Sequence, residues 1–324
     1  MHILYGTDGD DRLVGYSVDN LIYGMDGDDR LFGRDGDDTI YGDAGDDLLF
    51  GENGDDLLNG GSGADRLFGG DGMDFVFGGT GNDAIFAGND SDTAFGGDGD
   101  DYVRGGDGDD FLYGGAGVDT LVGGRGSDAL FGESGNDRLI GHGGNDALYG
   151  GAGTDNILAR NGNDVLFGGV GDDRLLGEGG VDTIYGGAGN DLLKGGGGRD
   201  SLFGGSGNDG LIGGIANDTL EGGLGADVLR GGDGADRYVY SSIDDSTPDA
   251  GDLLDDFDSD DVIDLTALGF TTVTDAFSGT EGELMVNFNA SSSTYLLLGD
   301  VDGDASADFL VRVRGDDPSD QLLI

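Results

Sequence analysis

Between Gly6 and Val239 the chain repeats one nine-residue pattern, in which a single aliphatic position is framed by polar or small ones. Gly105-Gly106-Asp107-Gly108-Asp109-Asp110-Phe111-Leu112-Tyr113 is a clear copy, and 26 such copies follow one another without slippage. Leu, Ile or Val fills the eighth column in 24 copies, with Ala94 and Tyr238 as departures. Gly fills the first column in 24 (Ala87 and Ala159 depart) and the fourth in 23 (Val18, Asp90 and Ala216 depart). Asp fills the sixth in 25, Asn20 being the exception. An unbroken period of this length marks a repeat architecture.

The pattern predicts two elements per phrase. Columns seven to nine read x-apolar-x, a very short strand with one side chain turned inward. The Gly-rich remainder turns sharply, because glycine tolerates positive φ and close backbone approach. Two phrases then close one coil, and strands of phrases n and n+2 stack in parallel. Leu13, Leu31, Leu49 and Leu67 form one internal row, and Ile22, Ile40, Leu58 and Val76 face them. About 13 coils at a rung spacing of ~4.8 Å predict a rod on the order of 60 Å long. Column nine points outward. Its even-phrase members, among them Tyr113, Phe131 and Tyr149, are aromatic in ten of 13 copies. Such a ladder stiffens the sheet by cross-strand stacking; the alternative reading is a docking face for glycan or for self-association.

One aliphatic side chain per nine residues is too thin a core to offset the ordering of so many glycines. Charge supplies the missing piece. The chain carries 67 acids against 15 bases, a formal net charge of −52. Coiling places Asp11, Asp29, Asp47, Asp65, Asp83, Asp101, Asp119, Asp137, Asp155, Asp173, Asp191, Asp209 and Asp227 along one edge. Asp38, Asp56, Asp74, Asp92, Asp110, Asp128, Asp146, Asp164, Asp182, Asp200, Asp218 and Asp236 line the other. Like charges on adjacent rungs repel unless cations lie between them. Carboxylates and turn carbonyls, with no nitrogen or sulfur ligand, match the preference of Ca²⁺. Pairing each phrase with the next but one gives up to about 24 ions, whose charge nearly cancels the −52. Because Asn20 and Val18 share phrase 2, its sites are expected to be weak or empty, and Asp90, Ala87 and Ala216 to mark irregular turns.

The phrase Gly-Gly-x-Gly-x-Asp-x-apolar-x resembles the repeats-in-toxin (RTX) nonapeptide, which the handful of departures above does not obscure. That resemblance implies an all-β fold: a calcium-bound parallel β-roll solenoid over residues 1–239, disordered when calcium is withheld. After Val239 glycine thins out, and residues 240–324 read as a small, mostly antiparallel β cap. Pro248 and the acidic run through Asp261 read as a loop. Strands are expected at Val262–Leu265, Leu284–Phe288, Tyr295–Leu298 and Phe309–Val313. Asp245-Ser246-Thr247-Pro248, Asp264-Leu265, Ala276-Phe277-Ser278-Gly279, Gly299-Asp300-Val301-Asp302-Gly303-Asp304 and Ala307-Asp308-Phe309 resemble the C-terminal domain of serralysin-type metalloproteases. The resemblance implies a capping domain whose end is read by type I secretion machinery, and hence a secreted protein. The ending Asp320-Gln321-Leu322-Leu323-Ile324 is similar to that signal, with Gln321 interrupting its simplest form.

Asp300, Asp302, Asp304 and Asp308 occupy positions 1, 3, 5 and 9 of a loop that matches the front of an EF-hand-like calcium site. Ala305 stands where such loops place glycine, and Val311 where they place glutamate. The absence of Cys excludes disulfides, thiolate metal sites and a Cys nucleophile. The acidic balance disfavours nucleic acid and anionic membranes. Met1–Tyr5 do not read as the start of a Sec-type leader, and no apolar stretch approaches the ~20 residues of a membrane span. Ile3-Leu4-Tyr5 match columns seven to nine, so an uncovered strand edge is expected at the start. Two histidines, His2 and His142, build no triad and no His-Glu-x-x-His zinc motif, so no enzymatic activity is expected. The expected role is structural or adhesive. The competing readings are an accessory module of a secreted metalloprotease or polysaccharide epimerase, and ice binding, which would need a regular Thr-x-Asn array where only Thr80-Gly81-Asn82 fits.

Overall fold

Strands begin at the seventh column, as expected, but they do not end at the ninth. Thr39–Ala44 and Leu57–Ser62 each run six residues, through the third column of the following phrase. Pairing covers columns seven to nine (Thr39↔Leu57, Ile40↔Leu58, Tyr41↔Asn59) and resumes at columns two and three (Asp43↔Gly61, Ala44↔Ser62). The glycines therefore bend the strand rather than ending it. Met25, Arg34, Asp43 and Glu52, at the second column, take φ of 84°, 91°, 76° and 82°, the left-handed region that usually needs glycine. The true turn is only columns four to six.

The computed structural model describes residues 1–290 and 292–324, and the chain divides into two units, Met1–Val165 and Leu166–Ile324. In the N-terminal unit every strand pairs in parallel with the strand one coil away, and Leu31↔Leu49↔Leu67 and Ile22↔Ile40↔Leu58 form the two predicted rows. These side chains are fully buried. Column nine faces outward in stacked rings: Phe77, Phe95, Tyr113, Phe131 and Tyr149 follow one another at 4.7–4.9 Å, nearly parallel. The odd phrases carry a second ladder, Phe32, Phe50, Phe68 and Phe86, at 4.8–5.0 Å. Each inner ring has both faces covered by its neighbours, which leaves ring edges to solvent.

The C-terminal unit is built of coils of the same kind, with Tyr185 and Phe203 stacked at 4.9 Å. Here the sequence reading needs two corrections. Asp252–Phe257, expected as loop, is a strand that pairs in parallel with Val228–Asp233. Parallel stacking also outlasts the change of composition at Val239. Val262–Asp264 lies on Arg237–Val239, Leu322–Leu323 on Val262–Asp264, and Phe309–Gly315 on Asp252–Phe257. The reason is that a solenoid end presents open backbone N–H and C=O groups, and any extended segment can satisfy them without the nonapeptide. Glu283–Asn289, Thr294–Asp300 and Phe309–Gly315 form the expected antiparallel set. Arg230 and Arg314 both pair with Asp255, and Arg237 pairs with Asp264. Tyr238, the one aromatic in column eight, is buried, and its hydroxyl donates to Asp256 and accepts from the Gly231 N–H. Among the described residues there is no α-helix, only three short 3-10 turns at Ile243–Asp245, Thr266–Leu268 and Pro318–Asp320, and no helix is long and apolar enough to cross a membrane.

Candidate metal centre

The sixth-column aspartates turn inward beneath the turns. From Asp29 to Asp236 every one of them is at most 3% exposed. One carboxylate oxygen has a fixed partner: Oδ1 of Asp47 accepts the Asp29 N–H at 2.8 Å, and Oδ1 of Asp56 accepts the Asp38 N–H at 2.7 Å. The same bond recurs one coil at a time, through Asp209 N–H to Asp227 and Asp218 N–H to Asp236. The other oxygen, Oδ2, is buried with no hydrogen-bond partner from Asp29 through Asp146, and again from Asp191 through Asp236. Asp155, Asp164, Asp173 and Asp182 are buried in the same columns. Asp11, in the first coil, differs: the Thr7 N–H and hydroxyl both donate to its Oδ2, at 2.6 and 2.8 Å.

A buried carboxylate oxygen with no donor costs several kcal/mol, on the order of 1–3 or more when charged. Burial is the main cause that raises these groups, with neighbouring aspartates adding to it. Asp56 and Asp92 are pushed up to about 8, and Asp47, Asp74, Asp83, Asp119, Asp128, Asp209 and Asp218 to about 7. Asp65, Asp110, Asp137, Asp146 and Asp227 rise to about 6. A repeated buried anion of this kind demands a cation.

Asn20 reveals what surrounds that demand. Its side-chain Nδ2 donates to the carbonyls of Tyr16 (2.9 Å), Val18 (2.6 Å) and Gly33 (3.4 Å), and to Oδ1 of Asp38 (2.8 Å). The second- and fourth-column carbonyls of one phrase thus converge with the first-column carbonyl and the aspartate one coil on. In phrase 2 an amide nitrogen sits inside this ring of oxygens. From Asp29 through Asp146, and again from Asp191 through Asp236, an aspartate Oδ2 that accepts no donor takes the side-chain position. Oxygen-only donors from carboxylates and carbonyls fit a hard divalent cation, Ca²⁺ above the nitrogen- and sulfur-seeking metals.

The turn backbone explains the glycine columns. Fourth-column Gly135 has φ 144°, and an added methyl would fall on the Gly117 carbonyl oxygen of the coil below. Asp90 and Ala216 hold the same position at φ 74° and 81° and keep the turn, so these two turns are strained rather than irregular. First-column Gly60 leaves room for Asp65 Oδ2 and the Gly78 carbonyl oxygen, both of which a side chain would strike.

Two sets of residues escaped the sequence reading. Asp252 and Asp261 extend the aspartate columns past the last phrase, accepting the Asp227 and Asp236 N–H groups at 2.9 Å each. Burial pushes them up to about 8 and about 6. Asp252-Leu253-Leu254 and Asp261-Val262-Ile263 repeat the Asp-x-apolar half of the phrase, the signal that could have found them. The fifth column is the second set. Its exposed side chains also bridge coils, as where Asp28 accepts the Asp46 N–H (2.9 Å) and Asp100 the Val118 N–H (2.9 Å); Asn136 and Asn208 do the same.

In the loop at residues 300–308, carboxylate oxygens of Asp300, Asp302 and Asp304 lie within 4.8 Å of one another. Asp308 stands outside this group, its Oδ2 accepting the Val301 N–H at 2.9 Å. Both oxygens of buried Asp300 are used, by the Gly303 and Ala305 N–H groups at 2.7 and 2.9 Å. Ala305 takes the left-handed φ, 68°, that the missing glycine would have supplied. The loop is internally satisfied, unlike the roll.

Two family models match this chain, and both agree with this geometry. The model of the RTX calcium-binding nonapeptide repeat matches residues 5–40, 23–58 and 32–67. The model of the peptidase M10 serralysin C terminal region matches residues 70–324, more than half of the chain. A curated relative, Serralysin C of Dickeya chrysanthemi, is 39% identical over 82 residues, which are 24% of this chain and 17% of that protein. The chain thus matches about a sixth of its relative's length. Among solved structures, the AlgE6R2 subunit of the Azotobacter vinelandii mannuronan C5-epimerase is 28% identical, covering 49% of this chain and 91% of that one, with a TM-score of 0.32. The AlgE6R3 subunit is 31% identical, over 44% and 77%, with a TM-score of 0.26.

Proposed function

Because this chain belongs to the family of the peptidase M10 serralysin C terminal region, preceded by RTX calcium-binding repeats, we propose that it is a secreted β-roll that folds when it meets extracellular calcium. One observation carries the reading: the buried, partnerless Oδ2 that recurs from Asp29 through Asp146 and from Asp191 through Asp236. Calcium would be held by the sixth-column aspartates of adjacent coils with the first-, second- and fourth-column carbonyls, and it supplies positive charge that neither the core nor the basic residues provide. In a low-calcium cytosol the same chain is a self-repelling polyanion with too little apolar surface to collapse, a form suited to passage through a type I exporter. Millimolar calcium outside the cell then couples binding to folding. The role after folding is read as structural or adhesive and non-enzymatic, since the buried acids are committed to coil stacking.

The test is a calcium titration followed by far-UV circular dichroism, with chelator and magnesium controls and ions counted on the folded form. Sheet signal that rises cooperatively with calcium and vanishes with chelator supports the proposal. Retention of full sheet content in chelator at neutral pH refutes it. A second reading, an accessory module of a larger secreted enzyme, draws on the small share of Serralysin C that the match covers; a native transcript encoding a catalytic domain in the same frame would favour it.

A further inference from the structure

In a chain with 15 basic residues against 67 acids, cations that gather in one place need a reason. Arg104, Arg125, Arg138 and Arg160 do so on the outer face of four consecutive strands, Tyr102–Asp107, Thr120–Arg125, Arg138–Gly143 and Asn156–Asn161. The parallel register sets them on neighbouring rungs: Arg104 lies beside Val122, Arg125 beside Gly143, and His142 beside Arg160. Of these four, only Arg125 has an acidic partner among the described residues, Asp107 at 3.0 Å, and both side chains are exposed. Arg160 Nε is shielded from solvent and donates to nothing. Burial, with the Arg160 and Arg104 guanidiniums nearby, lowers the His142 pKa.

Arg104, Arg125, Arg138 and His142 border a depression of about 790 Å³, with Arg160 on the rung next to His142. Its floor is low because Gly106 and Gly124 have no side chain where His142 and Arg160 stand one and two rungs on. Val122 and Ile140 contribute only 9% and 7% of their surface, so no deep apolar pocket is available to anchor a peptide side chain. Tyr102 stands exposed at one end. Four rungs at ~4.8 Å place Arg104 and Arg160 on the order of 14 Å apart. Beyond Tyr102–Asp107 the third-column positions of the preceding strands are Asn89 and Asp71, so the basic track is short and closed by acid. A long phosphate backbone, which needs an extended basic path, does not fit.

We propose that this depression binds a short stretch of an acidic polysaccharide, its carboxylate or sulfate groups meeting the guanidiniums and its hydroxyl-bearing rings lying on the glycine and aliphatic floor. The site is on the odd-phrase sheet, away from the even-phrase aromatic ladder. It rests on the calcium-loaded fold of the preceding section, so loss of the fold and loss of the site must be read separately.

The test uses the full chain with calcium and a triple variant, Arg104→Ser, Arg138→Thr, Arg160→Gly. The third change restores the glycine that the left-handed φ of 86° at residue 160 favours, so the backbone is relieved rather than strained. A control variant, Arg30→Ser, Arg174→Ser, Arg199→Ser, removes the same charge from exposed sites elsewhere. Circular dichroism in calcium is recorded first for both. Affinity is then measured on immobilised polygalacturonate, dextran sulfate and neutral dextran at physiological salt. The expected result is binding to one or both acidic polymers, weakened at least about tenfold in the triple variant, as for loss of a single charge-assisted hydrogen bond, and unchanged in the control. Polygalacturonate alone would identify a carboxylate reader, and both polymers a charge-density reader. Equal binding to neutral dextran, equal weakening in the control, or no binding by a properly folded wild type would each overturn the proposal.

Discussion

At the scale of single residues, each column of the phrase answers to one physical demand. The sixth column supplies an anion whose second oxygen has no protein donor, and Asn20 is its natural counter-example. Replacing Asn20 with Asp should exchange four N–H···O contacts for a metal ligand. The expected outcome is at least one more calcium bound per chain by ion counting, with a less protected N-terminal coil in chelator by hydrogen exchange. An unchanged ion count would mean that the oxygen ring is not the cation site. The fourth column demands a glycine. Gly135→Ala should cost more than about 1 kcal/mol, since its methyl meets the Gly117 carbonyl, and should appear as a higher calcium midpoint for folding.

Single elements gain stability only through neighbours on adjacent rungs. Phe131 lies between Tyr113 and Tyr149 at 4.8 Å on each side. Two stacked pairs predict a loss of about 1–3 kcal/mol for Phe131→Ser, measured by chemical denaturation in saturating calcium. An effect on polymer binding with no effect on stability would instead make the ladder a docking face. Asp252 tests whether the aspartate columns end with the nonapeptides. Asp252→Asn keeps the shape and the Oδ1 bond but removes the charge. It should lower the ion count and expose the amides of Val228–Asp233 to hydrogen exchange before those of the N-terminal coils. The strand around Asp252 was hidden in the sequence because Asp227 and Asp252 are 25 residues apart, which breaks the nine-residue frame. No Gly-rich turn announces it, and its acids read as a solvated loop.

For the whole molecule, charge decides whether there is a fold at all. With metal removed, folded carboxylates such as Asp56, Asp92 and Asp128 keep protons up to about 7–8, whereas in an unfolded chain they release them near ~4. Between those values the folded state binds more protons, so metal-free stability falls as pH rises. Chelated protein should therefore gain sheet signal on acidification from neutrality toward pH ~4.5, and calcium should be needed to restore it at pH ~7.5. Identical spectra at both pH values in chelator would count against burial of these groups as the dominant cost.

Much of this molecule is determined locally. The period, the inward eighth column, the aspartate on every phrase, the outward aromatic ladder and the antiparallel strands of the C-terminal region all follow from the order of residues. The reason is that a solenoid repeats one short-range decision, so within the nonapeptide coils the strand partner of residue i is the residue 18 positions on. Three features answer instead to contacts that the repeat does not dictate. The six-residue strands depend on second-column residues being held at positive φ by pairing across coils. The extra rungs, Asp252–Phe257 and Val262–Asp264 with Phe309–Gly315 and Leu322–Leu323 upon them, depend on distant segments reaching an open edge. The oxygen ring around Asn20 and the gathering of four arginines appear only when coils are stacked, since residues far apart in the chain come to share one surface through the register between rungs.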